Sequence, residues 1–517
     1  MDAKSARTSG RCRNRPTGER TDHDGGRFEA PQGQPKYGRP VTVRMPHAEI
    51  AVLRFGLGAR PGELAAAAGD PRGWLGTQTR GSVAAAVPAA GAAPLTGSAQ
   101  IFGEVMAARE ERRARARNAA NGPGDAQSTN LLREAYLPHY RAQVLARARS
   151  AALTTRPFAE RLVHFWTNHF AISADKGVVF GLAGTLEQEA IRPHVNGRFI
   201  DLLTAVEQHP AMIAFLDNQY SVGTHSEAAQ RAARRTARDG AAPTREFGIN
   251  ENLAREILEL HTLGVDGGYR QADVTSFAEI ITGWSIGGGE GRLAGGEMGR
   301  FQFRDNLHEP GAKTFLGKRY PDDGRGQGEA VLGDLARHPS TARFVASKLV
   351  RHFIADEPPP AAVDRVARAF KTSDGDLPQV YSALIESPEA WDPSARKFKT
   401  PEDFVFSTLR AFDASPDKPE EVIRSFELLG QRQYTPGSPA GWPDTAKAWD
   451  GSDALMHRVL WASRAAERLD QGTDPLDLAM STLGSLVRAE TLTALRRAAS
   501  GTQALALLLM SPEFQRR

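Results

Sequence analysis

The sequence predicts an all-α fold: a large multi-helix globular domain with long irregular loops and little or no sheet. Apolar residues recur at helical spacing along most of the chain after residue 46. Strand-like alternation is nearly absent, and no repeat of fixed period points to a solenoid. Of the 517 residues, 40% are hydrophobic and 24% charged, which suffices for a sizeable core.

Residues 1–45 are polar, rich in Gly, Pro and Arg, and lack periodicity, so they read as a disordered basic tail. Met45 directly precedes the first patterned segment and is a candidate start, with the upstream part a gene-model extension. The tail holds ten Lys/Arg against five Asp/Glu, leaving 55 against 56 for the rest. The basic character therefore belongs to the tail, which argues against a folded nucleic-acid-binding face.

Beyond the tail, a short helix is expected from Ala48 to Phe55, closed by Gly56-Leu57-Gly58. Residues 81–98 read as loop and 101–118 as a charged surface helix. Helical periodicity dominates from 130 to 222, and 223–247 reads as a surface loop or insertion. Helices are expected at 249–264 and 271–284, followed by a glycine-rich loop at 286–300 and a short strand at Phe301-Gln302-Phe303. Further helices are expected at 326–337, 340–354, 361–371 and 377–387. The last third adds 402–413, 419–429, 453–468, 475–484 and 489–510. Residues 46–517 thus read as one domain with loop insertions near 81–98, 223–247 and 286–330.

Cys12 is the single cysteine, so no intrachain disulfide and no Cys-based metal site can form. No apolar run reaches the ~18–20 residues of a membrane helix, and no signal peptide is seen, so the expected location is cytoplasmic. Walker-type, His-Glu-x-x-His and Gly-x-Ser-x-Gly motifs are absent.

Three segments carry candidate chemistry. On a helix through Arg161–Phe170, Phe158, Leu162, Phe165, Trp166 and Phe170 share one face. His169 falls in the middle of that face and must find a partner, whereas His164 points away from it. On the helix through Asn250–Gly264, Glu256 and His261 both lie toward the apolar side, and Arg255 can pair with Glu259. In the loop Asp305–Lys313, His308 sits among carboxylates. His169, Glu256, His261 and His308 are the catalytic candidates. His169, Glu256 and His261 are the metal candidates, with a divalent ion as the cofactor they would hold. Each has a plainer reading: His169 and His261 as core histidines, Glu256 and Arg255 as a network joining helices, His308 and Lys313 as loop anchors. Trp166, Trp284 and Trp442 read as core or loop-pinning aromatics. The proline-rich loop Tyr434–Asp444 reads as either a lid or a tether.

The strings FWTNHF, NENLAREILELHTLGVDGGYRQADV, ITGW, FQFRDNLHEPGAKTFLG, HPSTARFVASKLVRHF and LGQRQYTPGSPAGWPD resemble the bacterial domain-of-unknown-function family 1800. AIRPHVNGRF and HPAMIAFLDN fit it too, and the resemblance spans about residues 48–515. It implies a large helical protein with no assigned reaction. His169, Asn252, Glu256 and His308 fall within the recurring strings, whereas the position of His164 varies. Relatives are often exported and often encoded beside alkaline-phosphatase-like or sulfatase-like proteins; this chain lacks the recognisable signal. Two functions follow as expectations. One is a non-catalytic scaffold, binding or maturation partner of that neighbour. The other is a metal-dependent or acid/base hydrolase acting on a cell-envelope or extracellular polymer, with helices bearing His169 and Glu256/His261 packed together under the His308 loop.

Overall fold

The computed structural model describes residues 47–118, 126–239, 248–470 and 472–517. The tail expectation for 1–45 lies outside them. The chain is all-α, with two small two-stranded hairpins. The longer helices are α1 (Ser98–Asn118), α2 (Ala126–Leu153), α3 (Pro157–His169), α4 (Phe199–Glu207) and α5 (Glu227–Asp239). Next comes α6, an α turn Asn252–Glu256 that widens into a π turn Ile257–His261, then α7 (Gln271–Ile280). The strands β1 (Trp284–Ile286), β2 (Phe301–Phe303), β3 (Lys313–Phe315) and β4 (Lys318–Tyr320) follow. Helices α8 (Arg325–Arg337), α9 (Pro339–Phe353), α10 (Pro360–Thr372), α11 (Leu377–Ile385), α12 (Pro401–Ala411) and α13 (Pro419–Leu429) come after them. The chain closes with α14 (Ser452–Leu469), α15 (Pro475–Leu483), α16 (Ala489–Arg496) and α17 (Gly501–Met510).

Local chemistry sets many of these boundaries. Proline opens α3, α9, α10, α12, α13 and α15, where its fixed φ suits the first turn and its missing N–H costs nothing. Thr400 and Asp403 form a reciprocal capping box at the start of α12. The buried apolar residues make one cluster running from Ala48 to Phe514. β1 pairs with β2 antiparallel, Trp284 opposite Phe303, and β3 pairs with β4. Among the described residues no helix is long and apolar enough to cross a membrane.

The structure corrects the reading in four places. Much of 223–247 is not loop: Glu227–Asp239 is helical, because alanines dominate it and Glu227 pairs with Arg231 one turn on. The expected 489–510 helix is two, since Ser500 caps a new helix by accepting from the Gln503 amide. Helix α7 stops at Ile280, and Gly283, at φ +81°, turns the chain into β1. His164, expected to face away from the core, is buried. Both sides of α3 are covered, so its polar side meets other protein rather than water.

Candidate functional site

Helix α3 carries two stripes. On the apolar stripe, His169 packs against Trp166 and Phe170 with ring centroids 5.1 and 4.5 Å away. Its Nε2–H donates to the His261 carbonyl at 3.1 Å, and Nδ1 has no partner. Burial, reinforced by the charge of Lys348, holds this imidazole well below its usual pKa, so it is neutral at neutral pH. His261 donates from Nδ1 to Glu207 Oε1 at 2.8 Å, while its Nε2 and Glu207 Oε2 are unpartnered. All three residues are buried.

The helices bearing His169 and His261 therefore do meet, as expected. The carboxylate that pairs with His261 is Glu207 of α4, not Glu256. Glu256 is half-buried, and burial pushes its carboxyl up, partly offset by His261. The sequence did hold a signal for Glu207. It continues the stripe Phe199, Leu202, Leu203, Val206 of α4, at the position where an apolar residue is due. Arg255 pairs with Glu259 at 3.5 Å, as spacing suggested, and with Glu251 at 2.9 Å. It also reaches Gln271 of α7 at 3.1 Å, so the network joining helices runs through Glu251.

His308 stands in another cluster. It donates from Nδ1 to the Thr282 carbonyl at 3.1 Å, and its Nε2 is unpartnered, 4.0 Å from Asp322. Lys313 donates to the carbonyls of Pro310 at 2.7 Å and Gly311 at 3.2 Å, an anchor for the loop. Among the described residues, no three His, Cys, Asp or Glu side chains gather to hold a metal ion. His169, Glu256 and His261 thus lack the geometry that a metal needs.

The polar stripe of α3 lines a cavity of about 70 Å³ that sequence reading missed. Its walls are Arg147 of α2, Arg161, His164 and Asn168 of α3, His352 at the end of α9, and Glu402 and Asp403 of α12. The segment Gln431–Asp444 roofs it. Arg161 bonds Asp403 at 2.7 Å and the Gly56 carbonyl at 2.6 Å. Arg517 meets the same carboxylate at 2.9 Å. Arg147 joins Glu187 and Glu402, and Arg192 joins Glu160 and Glu187. Burial alone would raise the Asp403 carboxyl, but the Arg161 and Arg517 guanidiniums hold it well below the usual range. Burial pulls Arg161 down to about 10.

At one edge, His352 donates from Nδ1 to Asp444 Oδ2 at 2.8 Å. Its Nε2 is buried and unpartnered. Burial lowers this imidazole to about 4 despite the opposing pull of Asp444. At neutral pH the ring is therefore neutral, with a free lone pair on Nε2. Across the cavity, His164 Nε2 also lacks a hydrogen bond and lies 3.5 Å from Glu160.

The roof is a tether. Asn168 donates to the Trp442 carbonyl at 2.9 Å and accepts from the Trp442 amide at 2.7 Å. Gly441 passes so close that a Cβ there would sit 2.3 Å from the Asn168 carbonyl oxygen. Tyr434 takes a left-handed φ of 56° and hydrogen-bonds Glu187 at 3.3 Å. Strained non-glycine backbone of this kind concentrates at ligand and active sites. Trp166 and Trp284 are core residues, as read; Trp442 pins the roof.

A large all-α chain with a roofed, charge-lined cavity at the waist of one buried helix defines the class of protein at hand. The chain belongs to the family described as protein of unknown function (DUF1800), whose model matches residues 50–516. No curated protein and no solved structure matches.

Proposed function

We propose that this protein is an acid/base enzyme of the hydrolase type, working in the roofed cavity rather than at His169, Glu256, His261 and His308. One observation carries the reading. His352 lines the cavity and is oriented by Asp444 through Nδ1, while its buried Nε2 keeps an unpartnered lone pair. A neutral imidazole held this way can take a proton from a water or hydroxyl, and the carboxylate then stabilises the imidazolium. The cavity accommodates a reacting group rather than a whole polymer. Arg161 and Asn168 line it and offer donors. The test is a panel of p-nitrophenyl esters and phosphodiesters. The wild type should turn over at least one, and His352→Asn should lose at least about 100-fold with its fold intact. The acid limb of kcat/KM should fall near pH 4, following the lowered imidazole. Turnover insensitive to His352→Asn would sink the proposal.

A second reading is the scaffold or maturation partner of a phosphatase- or sulfatase-like neighbour. It is favoured by α14, where Leu455, Met456, Val459 and Leu460 are exposed at helical spacing. Lone exposed apolar residues are ordinary, but a stripe of four suits a partner surface. Co-purification with that neighbour, abolished by Met456→Glu with Leu460→Glu, would support it; co-purification unaffected by the pair would count against it.

A further inference from the structure

Helix α9 carries a lysine that the reaction proposed above does not use. Lys348 is half-buried, yet its Nζ still touches solvent. Among the described residues that amine has no hydrogen bond and no ion pair. What it meets is the face of Phe344, with the ring centroid 5.4 Å away. A ring face attracts a cation weakly and does not replace a carboxylate. Asp444 is close enough to be felt, but it is engaged by His352 at 2.8 Å, Arg517 at 3.5 Å and Lys397 at 3.6 Å. Arg351, nearly one turn on, sets a second positive charge beside Lys348. His169 of α3 is also near, and it is neutral. Burial, then the charge of Arg351, pulls the amine down to about 8 against the opposing effect of Asp444. A lysine that is partly desolvated and beside another cation is an activated nucleophile. Arg351 itself is exposed and uses only Nε, on the Asp356 carbonyl at 3.4 Å, so both Nη groups are free among the described residues.

We propose that Lys348 and Arg351 form a site for a small 2-oxo acid, held on Lys348 as a Schiff base with its carboxylate on Arg351. Side chains three residues apart on a helix stand ~5–6 Å from each other, and a 2-oxo acid carries its carbonyl and carboxylate on adjacent carbons. The lone pair of Nζ forms the C–N bond. The carbonyl oxygen takes both protons of the neutral amine and leaves as water, and a C=N bond remains; nothing is oxidised or reduced. The carboxylate accepts from the two Nη groups of Arg351, the geometry that a guanidinium favours. Other occupants fit less well. A phosphate or sulfate ion favours a charged ammonium, whereas this amine is placed to shed its charge. An uncharged aldehyde reacts with Lys348 but leaves Arg351 without a partner. Neither residue lines the His352 cavity, so the proposal does not rest on the reaction proposed above.

The experiment incubates the full chain with glyoxylate and sodium cyanoborohydride, which traps a Schiff base as a stable secondary amine, and repeats it with the uncharged acetaldehyde. Peptide mass spectrometry then reads the rate of labelling at each lysine. With glyoxylate, Lys348 should label at least about tenfold faster than the exposed Lys371 and Lys447. Relative to acetaldehyde, glyoxylate should be preferred at Lys348 by more than it is at Lys371. Arg351→Gln should bring that preference down to the Lys371 level while the chain stays folded. Labelling of Lys348 no faster than that of Lys371 and Lys447 overturns the proposal. So does a glyoxylate preference that is the same at Lys348 and Lys371, or one that survives Arg351→Gln, because the carboxylate would then have no seat on Arg351.

Discussion

The two faces of α3 bury histidines in opposite ways. On the apolar face, His169 reaches a backbone carbonyl and His261 reaches Glu207, and aromatic rings enclose the group. On the polar face, Glu160 meets Arg192 and Arg161 meets Asp403, while His164 lies beside Glu160 of its own helix, next to a cavity. Both faces hold imidazole nitrogens without partners. Only on one of them do the histidines line a cavity. Burial of a polar group is thus no guide to function until the space beside it is known.

The largest effect expected from breaking this contrast is at Asp403. Asp403→Ala strands Arg161 and Arg517 as buried unpaired charges and should cost about 3–5 kcal/mol in urea unfolding. A loss under about 1 kcal/mol would mean that water reaches the network freely.

Acidification should come next. A histidine lowered from 6.5 to about 4 in the fold binds its proton more readily when unfolded. Its contribution is complete above pH 6.5 and is lost as pH falls from 6.5 to 4. His352 should therefore account for about 3 kcal/mol over that window. Unfolding midpoints followed against pH should flatten there in His352→Asn. An unchanged slope would show that His352 titrates normally.

On the sealed face, Glu207→Ala should cost about 2 kcal/mol by leaving the His261 donor unpaired. Any turnover should be untouched once folding is restored at lower temperature. A variant that folds normally but loses turnover would move the reaction back to His261. Smallest is Gly441→Ala, at φ +85° and in contact with Asn168, expected at about 1–2 kcal/mol. Hydrogen exchange at the Trp442 amide, which Asn168 Oδ1 accepts, should accelerate with it. Unaltered exchange would mean that the roof does not depend on this close approach.

Much of this was legible in the sequence, for local reasons. Helix periods, proline starts and caps are written within a few residues, so α8–α10 and α12–α13 fall close to their expected spans. His169 and His261 were read as core-facing from the wheel alone, and both are buried. Glu207 was equally readable from the stripe of α4 and was overlooked. α5 reads as loop because it lacks large apolar residues to show a period, although its alanines and arginines are both strong helix formers.

The sequence by itself determined the all-α class, the stripes of its helices and the membership of its strings in one family. Only the tertiary structure decided which polar residues meet. His352 and Asp444 lie 92 positions apart, and Arg161 lies far along the chain from Asp403. Periodicity fixes the face a side chain takes on its own helix. What covers that face depends on how distant helices pack, and no local pattern encodes that.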